Sequence, residues 1–253
     1  MIKVQIVSDI HCEFYRDDGA AVIAGIPVAG DVLVIAGDLL PAKWARKRVV
    51  EVLRRFTDRW PAVVYVAGNH EAYGLPIGVT EFSLLKASLE AGVEFLANEA
   101  REVAGLRFFG GTGWFPDRRG DMGWSARKMM PEFSIVRGIE DDAPASNRLF
   151  DERLSGEAGA VDVVVSHHLP AACCVAPKYA GQALNAFFVA DFEHLLFPTK
   201  AQLWAYGHTH TRGSILVGDT NLVCNPHGYP GEVPGPYPTV VVDVEPRQPK
   251  ETP

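Results

Sequence analysis

The order of apolar and polar positions along the chain sets out its architecture. Residues 2–7, 32–36 and 62–67 are short, nearly unbroken apolar runs, Val32-Leu33-Val34-Ile35-Ala36 being the clearest. Runs without alternation predict strands covered on both faces. Between the second and third runs, residues 44–58 carry Val49, Val50, Leu53 and Phe56 at helical spacing among charged residues, and Pro61 follows as a stop. The first third therefore reads as βαβ. A second helix is expected over 79–91, with Phe82, Leu85 and Leu89 turned inward and Gly92 ending it. Short strands follow near 93–96, 102–103 and 106–109.

From 111 to 148 the periodicity is lost while Trp114, Phe115, Trp124, several arginines, glycines and prolines gather. An irregular excursion with at most short helices fits this stretch, and it is a candidate lid. Regular structure resumes with a helix near 147–157, an apolar strand at 161–166, a loop to about 188 and a helix near 191–197. Strands at 203–206, 214–217, 220–224 and 239–244 complete a single domain over residues 1–245. The tail 246–253, with Pro246, Pro249 and Pro253, reads as frayed.

Composition narrows the partners. The chain has 253 residues, 47% hydrophobic and 22% charged, which suits one large core. Its formal charge of −7 offers no basic face to a phosphate backbone, so long nucleic acid is disfavoured and small anions are easier partners. No stretch approaches the ~20 apolar residues of a membrane helix. Four cysteines have neither the density of a disulfide scaffold nor the C-x-x-C spacing of a structural zinc site. The expectation is a cytoplasmic protein with no membrane partner.

Chemistry enters at the strand ends. The first apolar run ends in Ser8-Asp9-Ile10-His11, the second in Gly37-Asp38, the third in Gly68-Asn69-His70-Glu71; later runs end in Ser166-His167-His168 and Gly207-His208-Thr209-His210. Six of the eight histidines lie in these motifs, so they are not scattered surface residues. In an extended segment Asp9 and His11, or His208 and His210, point to one side. Ligands of open α/β sheets gather at the carboxyl ends of strands, so five such ends can converge on one crevice. A mixed carboxylate and imidazole set suits Mn, Fe, Zn or Co, and more than four ligands exceeds what one tetrahedral ion uses. Two divalent transition-metal ions sharing Asp38 is the economical reading.

Taken together, Asp9-x-His11, Gly37-Asp38, Gly68-Asn69-His70-Glu71, His167-His168 and Gly207-His208-x-His210 resemble the calcineurin-like metallophosphoesterase superfamily over roughly residues 1–225. The resemblance implies a four-layer α/β/β/α sandwich of two mixed sheets flanked by helices. It implies that Asp9, His11 and His210 hold one metal, Asn69, His167 and His208 the other, and that Asp38 bridges them. His70 is then the catalytic residue that assists the leaving group, and a metal-bridging hydroxide attacks a small phosphodiester or phosphomonoester. Within the His167-His168 pair, His167 is assigned as the ligand. His168 and Glu71 are left as supporting or substrate-contacting groups.

Where protein phosphatases of the superfamily continue with Val-Asp-Arg-Gly, this chain has Leu39-Leu40-Pro41-Ala42 after Asp38. A protein phosphatase, like a nucleic-acid nuclease or a non-catalytic metal-binding scaffold, is therefore an alternative rather than the first reading. For a small substrate such as a nucleotide, Trp114, Phe115, Trp124 and Tyr179 are candidates for stacking, and Arg118, Arg119 and Arg127 for meeting a phosphate. Asn185 and the Asn225-Pro226-His227-Gly228-Tyr229 turn are candidates for bordering the crevice.

Overall fold

A computed structural model describes residues 1–232 and 237–247. The first sheet takes β1 (Ile2–Val7), β2 (Val32–Ala36), β3 (Ala62–Val66), β4 (Glu94–Leu96) and β11 (Val241–Val244) in the order β11-β1-β2-β3-β4. Its strands run parallel except β11, which pairs antiparallel with β1. The second sheet takes β5 (Glu99–Val103), β6 (Leu106–Gly110), β7 (Val163–Val165), β8 (Leu203–Tyr206), β9 (Gly213–Val217) and β10 (Thr220–Cys224) in the order β5-β6-β7-β8-β10-β9. Helices α1 (Ala20–Gly25), α2 (Arg46–Thr57) and α3 (Ile77–Ala91) belong with the first sheet; α4 (Glu132–Ile135), α5 (Ile139–Gly156) and α6 (Glu193–Thr199) follow later in the chain.

The unbroken apolar runs explain the layering. On β1, β2 and β3, Val4, Ile6, Val32, Val34, Val64 and Val66 meet Phe108, Val163, Val165 and Leu203 of the other sheet. Their alternate neighbours Leu33, Ile35, Val63 and Tyr65 pack outward with Val49, Leu53 and Phe56 of α2. On the far side, Val164, Trp204 and Leu222 pack with Phe150 and Leu154 of α5 and Leu195 and Leu196 of α6. Period-two alternation thus serves two apolar environments at once. The result is the expected four-layer sandwich, helix, sheet, sheet, helix.

Two expectations need correction. Helix α3 buries Ile77, Thr80, Leu84, Ala87, Ser88 and Ala91, while Phe82 and Leu89 are 57% and 72% exposed and Leu85 is also on the outer face. Both stripes have helical spacing; the one with small residues was the one able to approach α2 closely. Helix α5 begins at Ile139 rather than near 147, with Gly138 left-handed before it and Glu140, Asp141 and Asp142 in its first turn, where the helix dipole favours acids. The 111–148 excursion carries only short helices as far as Ile135, and Trp114, Phe115, Ala126, Met130, Val136 and Ile139 pack with Phe187 in a core of their own. The part of the expected frayed tail from 248 onward lies outside the described residues.

Candidate metal centre

All five motif-bearing strand ends converge on one cluster, and those at Asp38, Asn69-His70 and His208-Thr209-His210 also line a cavity there. The backbone there is held in a conformation that ordinary side chains avoid: φ is +53° at Asp9, +52° at His11, +52° at Asp38, +67° at His208 and +46° at His210. Left-handed non-glycine residues each cost about 1–3 kcal/mol and persist where the surroundings over-determine them. Five of the candidate ligands therefore sit in strained turns. Two glycines make room for the neighbours: a Cβ on Gly68 would stand 2.1 Å from Asp38 Oδ1, and one on Gly37 would stand 2.4 Å from His167 Nδ1.

Asp9 Oδ1 accepts from the His208 amide at 2.9 Å and faces His210 Nε2 at 3.4 Å. His11 Nε2 lies 3.0 Å from His210 Nε2. The other ring nitrogen of His210 is taken by Glu232 at 2.7 Å, and that of His11 faces Glu13 at 3.4 Å. Asp38 Oδ1 accepts from the His70 amide at 2.9 Å, while Oδ2 faces both His167 Nε2 at 3.4 Å and His11 Nε2 at 3.8 Å. His167 Nδ1 donates to the Ala36 carbonyl at 2.8 Å, which leaves Nε2 turned toward Asp38 and, at 2.9 Å, Asn69 Oδ1. Asn69 is oriented by Glu132, whose Oε1 accepts from its Nδ2 at 2.8 Å. His208 Nε2 is buried without a hydrogen-bond partner among the described residues.

These contacts test whether cations fit. Among the described residues lone-pair atoms converge in three groups, each group's ligating atoms lying within 4.8 Å of one another. One is His11, Glu13 and His70, where His70 and Glu13 are already hydrogen-bonded. The two larger-reaching ones are Asp9, His11, Asp38 and His210, and Asp38, His167 and His208. Asp38 belongs to both of these. The outward ring nitrogens of His11, His167 and His210 are engaged, as in metal-binding imidazoles oriented from behind. Without a cation, protons have to fill the gap between carboxylates and imidazoles. Burial pushes His167 and His210 down, but Asp38 and Asp9 respectively outweigh it and lift them to about 10 and about 9. Burial dominates at His208, held well below the usual histidine range, and at His168, lowered to about 3. The residues fit divalent cations.

His70 stands beside the cluster. Its Nδ1 meets Glu13 at 2.8 Å, and Tyr229 Oη is 3.4 Å from Nε2. Burial lowers its pKa, yet Asp38 and Glu13 outweigh that and the net shift is upward. Glu71 is fully buried and touches no histidine through its carboxylate. It accepts from the amides of Leu39 at 2.7 Å, Gly68 at 2.8 Å and Asp38 at 3.1 Å, and from Tyr65 Oη at 2.6 Å, tying the β2 and β3 loops together. His168 packs between Trp114 and His208 and is absent from the cavity wall.

A cavity of about 360 Å³ opens from the cluster, its wall including Asn69, His70, His208, Tyr229 and Glu232. Tyr179 and Asn185 line it, as expected. Trp114 and Phe115 do not; each is 1% exposed and belongs to the core. Trp124 is likewise packed against that core. Arg118 is paired with Asp191 and the Ala186 carbonyl, Arg119 with Asp117 and Asp141, and Arg127 with Glu140 and the Trp124 carbonyl. Asn225 spends its amide on Ile6 and Pro238 carbonyls and on Arg212. Glu13, Tyr73, Glu132 and Glu232 went unread in the sequence. Glu13 and Tyr73 each stand two residues beyond a motif, after His11 and Glu71, but in short turns that no alternation foretells.

The calcineurin-like phosphoesterase family model matches residues 2–212. The chain belongs to that family. A phosphopantetheinyl hydrolase from Mycobacterium tuberculosis is similar in structure, with 14% identity, a TM-score of 0.71 and coverage of 99% of this chain and 98% of that one. The protein TT1561 of Thermus thermophilus is similar at 12% identity and a TM-score of 0.50, covering 89% of each chain. At those identities the likeness shows a shared fold. Among curated proteins none matches the sequence. Among the described residues no helix is long and apolar enough to cross a membrane. This family member is thus a metallophosphoesterase by fold and family, with a His/Asp cluster able to hold metal.

Proposed function

We propose that this protein hydrolyses a small phosphoester, diesters ahead of monoesters, with two divalent transition-metal ions held by Asp9, His11, Asp38 and His210 and by Asp38, Asn69, His167 and His208. The observation that carries this reading is the convergence of lone-pair atoms on two points that share Asp38. Bound there, such ions supply a pull on the phosphoryl oxygens and an acidified water. His70 does the remaining work: Nδ1–H donates to Glu13, and the proton on Nε2 passes to the oxygen of the departing alcohol as the P–O bond breaks.

The diester preference rests on charge. Among the described residues the cavity wall carries no lysine or arginine, and it carries Asp38, Glu132 and Glu232. A monoester dianion brings a second negative charge that only the ions and His70 could offset, whereas a diester brings one. The test is metal content together with hydrolysis of bis-p-nitrophenyl phosphate and p-nitrophenyl phosphate under added Mn, Fe, Zn or Co. Close to two ions per chain and faster diester cleavage is expected. Faster monoester cleavage would overturn the preference, and two bound ions with neither ester cleaved would favour the metal-binding scaffold.

A further inference from the structure

Glu132 is a carboxyl in an unusual position. It is 4% exposed on the short helix α4 and lines the cavity. Its Oε1 is fully used, accepting from Asn69 Nδ2 at 2.8 Å and Tyr73 Oη at 2.6 Å. Its Oε2 is buried with no hydrogen-bond partner among the described residues. A buried acceptor left unpaired is costly, and a ligand that brings a donor relieves that cost. The same wall carries the apolar side chains of Met130, Val175, Leu184 and Phe188 and the amide side chains of Gln182 and Asn185. Asn185 Nδ2 is already donating to the Tyr179 carbonyl at 2.8 Å. Among the described residues of the wall, no lysine or arginine is present to receive an anionic group.

We infer that this wall of the cavity is an arm site for one ester group of the substrate, an uncharged amphipathic chain that carries a hydroxyl or amide N–H within a few atoms of phosphorus. Glu132 Oε2 accepts from that donor, the apolar wall covers the chain beyond it, and arms bearing carboxylates or further phosphates are rejected. Glu132 is one residue away from the cluster, through Asn69, and this places the donor close to the reacting centre. The inference rests on the diesterase reading above. It also removes the nucleotide from first place, because none of the arginines considered for a phosphate reaches the cavity.

The experiment compares p-nitrophenyl phosphodiesters whose second arm is N-(2-hydroxyethyl)butanamide, n-hexyl or 5-carboxypentyl. The amide arm should exceed n-hexyl in kcat/KM by about ten- to a hundredfold, the scale of a hydrogen bond to a carboxylate, and 5-carboxypentyl should be lowest. Glu132→Gln keeps an oxygen for Asn69 and Tyr73 but replaces the free acceptor by a donor. It should collapse the amide-to-hexyl ratio toward one. Leu184→Lys, a cation on the apolar wall, should raise the carboxypentyl arm relative to hexyl. Equal rates for amide and hexyl arms in the unaltered protein, or an undiminished ratio in Glu132→Gln, would overturn the arm site. The free arm alcohols, followed by ligand-observed NMR, read the site without chemistry. Binding of the amide alcohol over hexanol with no hydrolysis of any ester would sink the diesterase reading and uphold the arm site; equal binding would sink the arm site.

Discussion

Replacing Glu71 by glutamine isolates what one buried carboxylate does for two loops. Oε1 accepts from the Leu39 amide at 2.7 Å and Tyr65 Oη at 2.6 Å, and Oε2 from the Gly68 amide at 2.8 Å and the Asp38 amide at 3.1 Å. Burial and the Asp38 carboxylate push this group up to about 7, yet all four close partners are donors, an arrangement that the ionised form satisfies fully. In Glu71→Gln the cheaper orientation places the NH₂ where Oε1 was. The Tyr65 hydroxyl can rotate to accept, but the Leu39 amide loses its partner, at about 1–3 kcal/mol, and the Oε2-side bonds lose their charge assistance. A loss of about 3 kcal/mol follows, or about 6–12 °C in Tm for a chain of this size. Thermal unfolding followed by circular dichroism in chelator measures it free of metal linkage. Because Gly68 and Asp38 share the anchor, metal affinity should fall too, read by equilibrium dialysis. A Tm within about 2 °C of the parent together with unchanged affinity would refute the reasoning.

Three further outcomes test separate parts of the structure. With His167 lifted to about 10 and His210 to about 9, an entering ion displaces a proton from each, so affinity at each site should rise about tenfold per pH unit between pH 6 and 8. Competition with a chromophoric chelator checks this, and a flat profile would mean the histidines are already neutral. Burial lifts Glu81 to about 7 from 4.5, so the folded chain retains a proton that the unfolded chain has lost, and stability falls as pH rises through that window. Discounted for partial exposure, Glu81→Gln should gain about 1 kcal/mol at pH 8 and nothing at pH 4, by urea unfolding at both; equal gains would contradict the assignment. His70→Ala should keep its full metal complement while losing about 10²–10⁴-fold in diester hydrolysis, and a variant that also sheds ions would make His70 a ligand.

The sandwich was legible because its strands are short and apolar on both faces. Val32-Leu33-Val34-Ile35-Ala36 has no polar side, so it needs partners above and below. The strand-end motifs were legible for a related reason: polar residues crowded after apolar strands have no surface role to explain them. The inward face of α3 was not. Phe82 and Leu89 outrank Ala87 and Ala91 in apolar area, but close packing on α2 selects small residues, and only the tertiary partner reveals that choice. Trp114 and Phe115 misled in the opposite direction, since an aromatic after glycines reads alike whether it stacks on a ligand or fills a core.

The supporting residues mark the deeper limit. Glu132 lies 63 positions from Asn69, and Glu232 lies 22 from His210, with no spacing that ties either pair. They bond to the rear atoms of the candidate ligands, so their position depends on how loops from different layers meet. The left-handed turns at Asp9, His11, Asp38, His208 and His210 follow the same logic. Each strand end bends sharply inward to aim its side chain, and the cost is held in place by bonds from elsewhere: the His208 amide on Asp9, the His70 amide on Asp38, the Glu71 carboxylate across two loops. A local sequence window contains the strained residue but not its partner, which sits in another motif far along the chain. The candidate chemistry of this site is therefore written in the motifs, while its geometry is written in bonds between separate motifs and in residues such as Glu132 and Glu232 that belong to none.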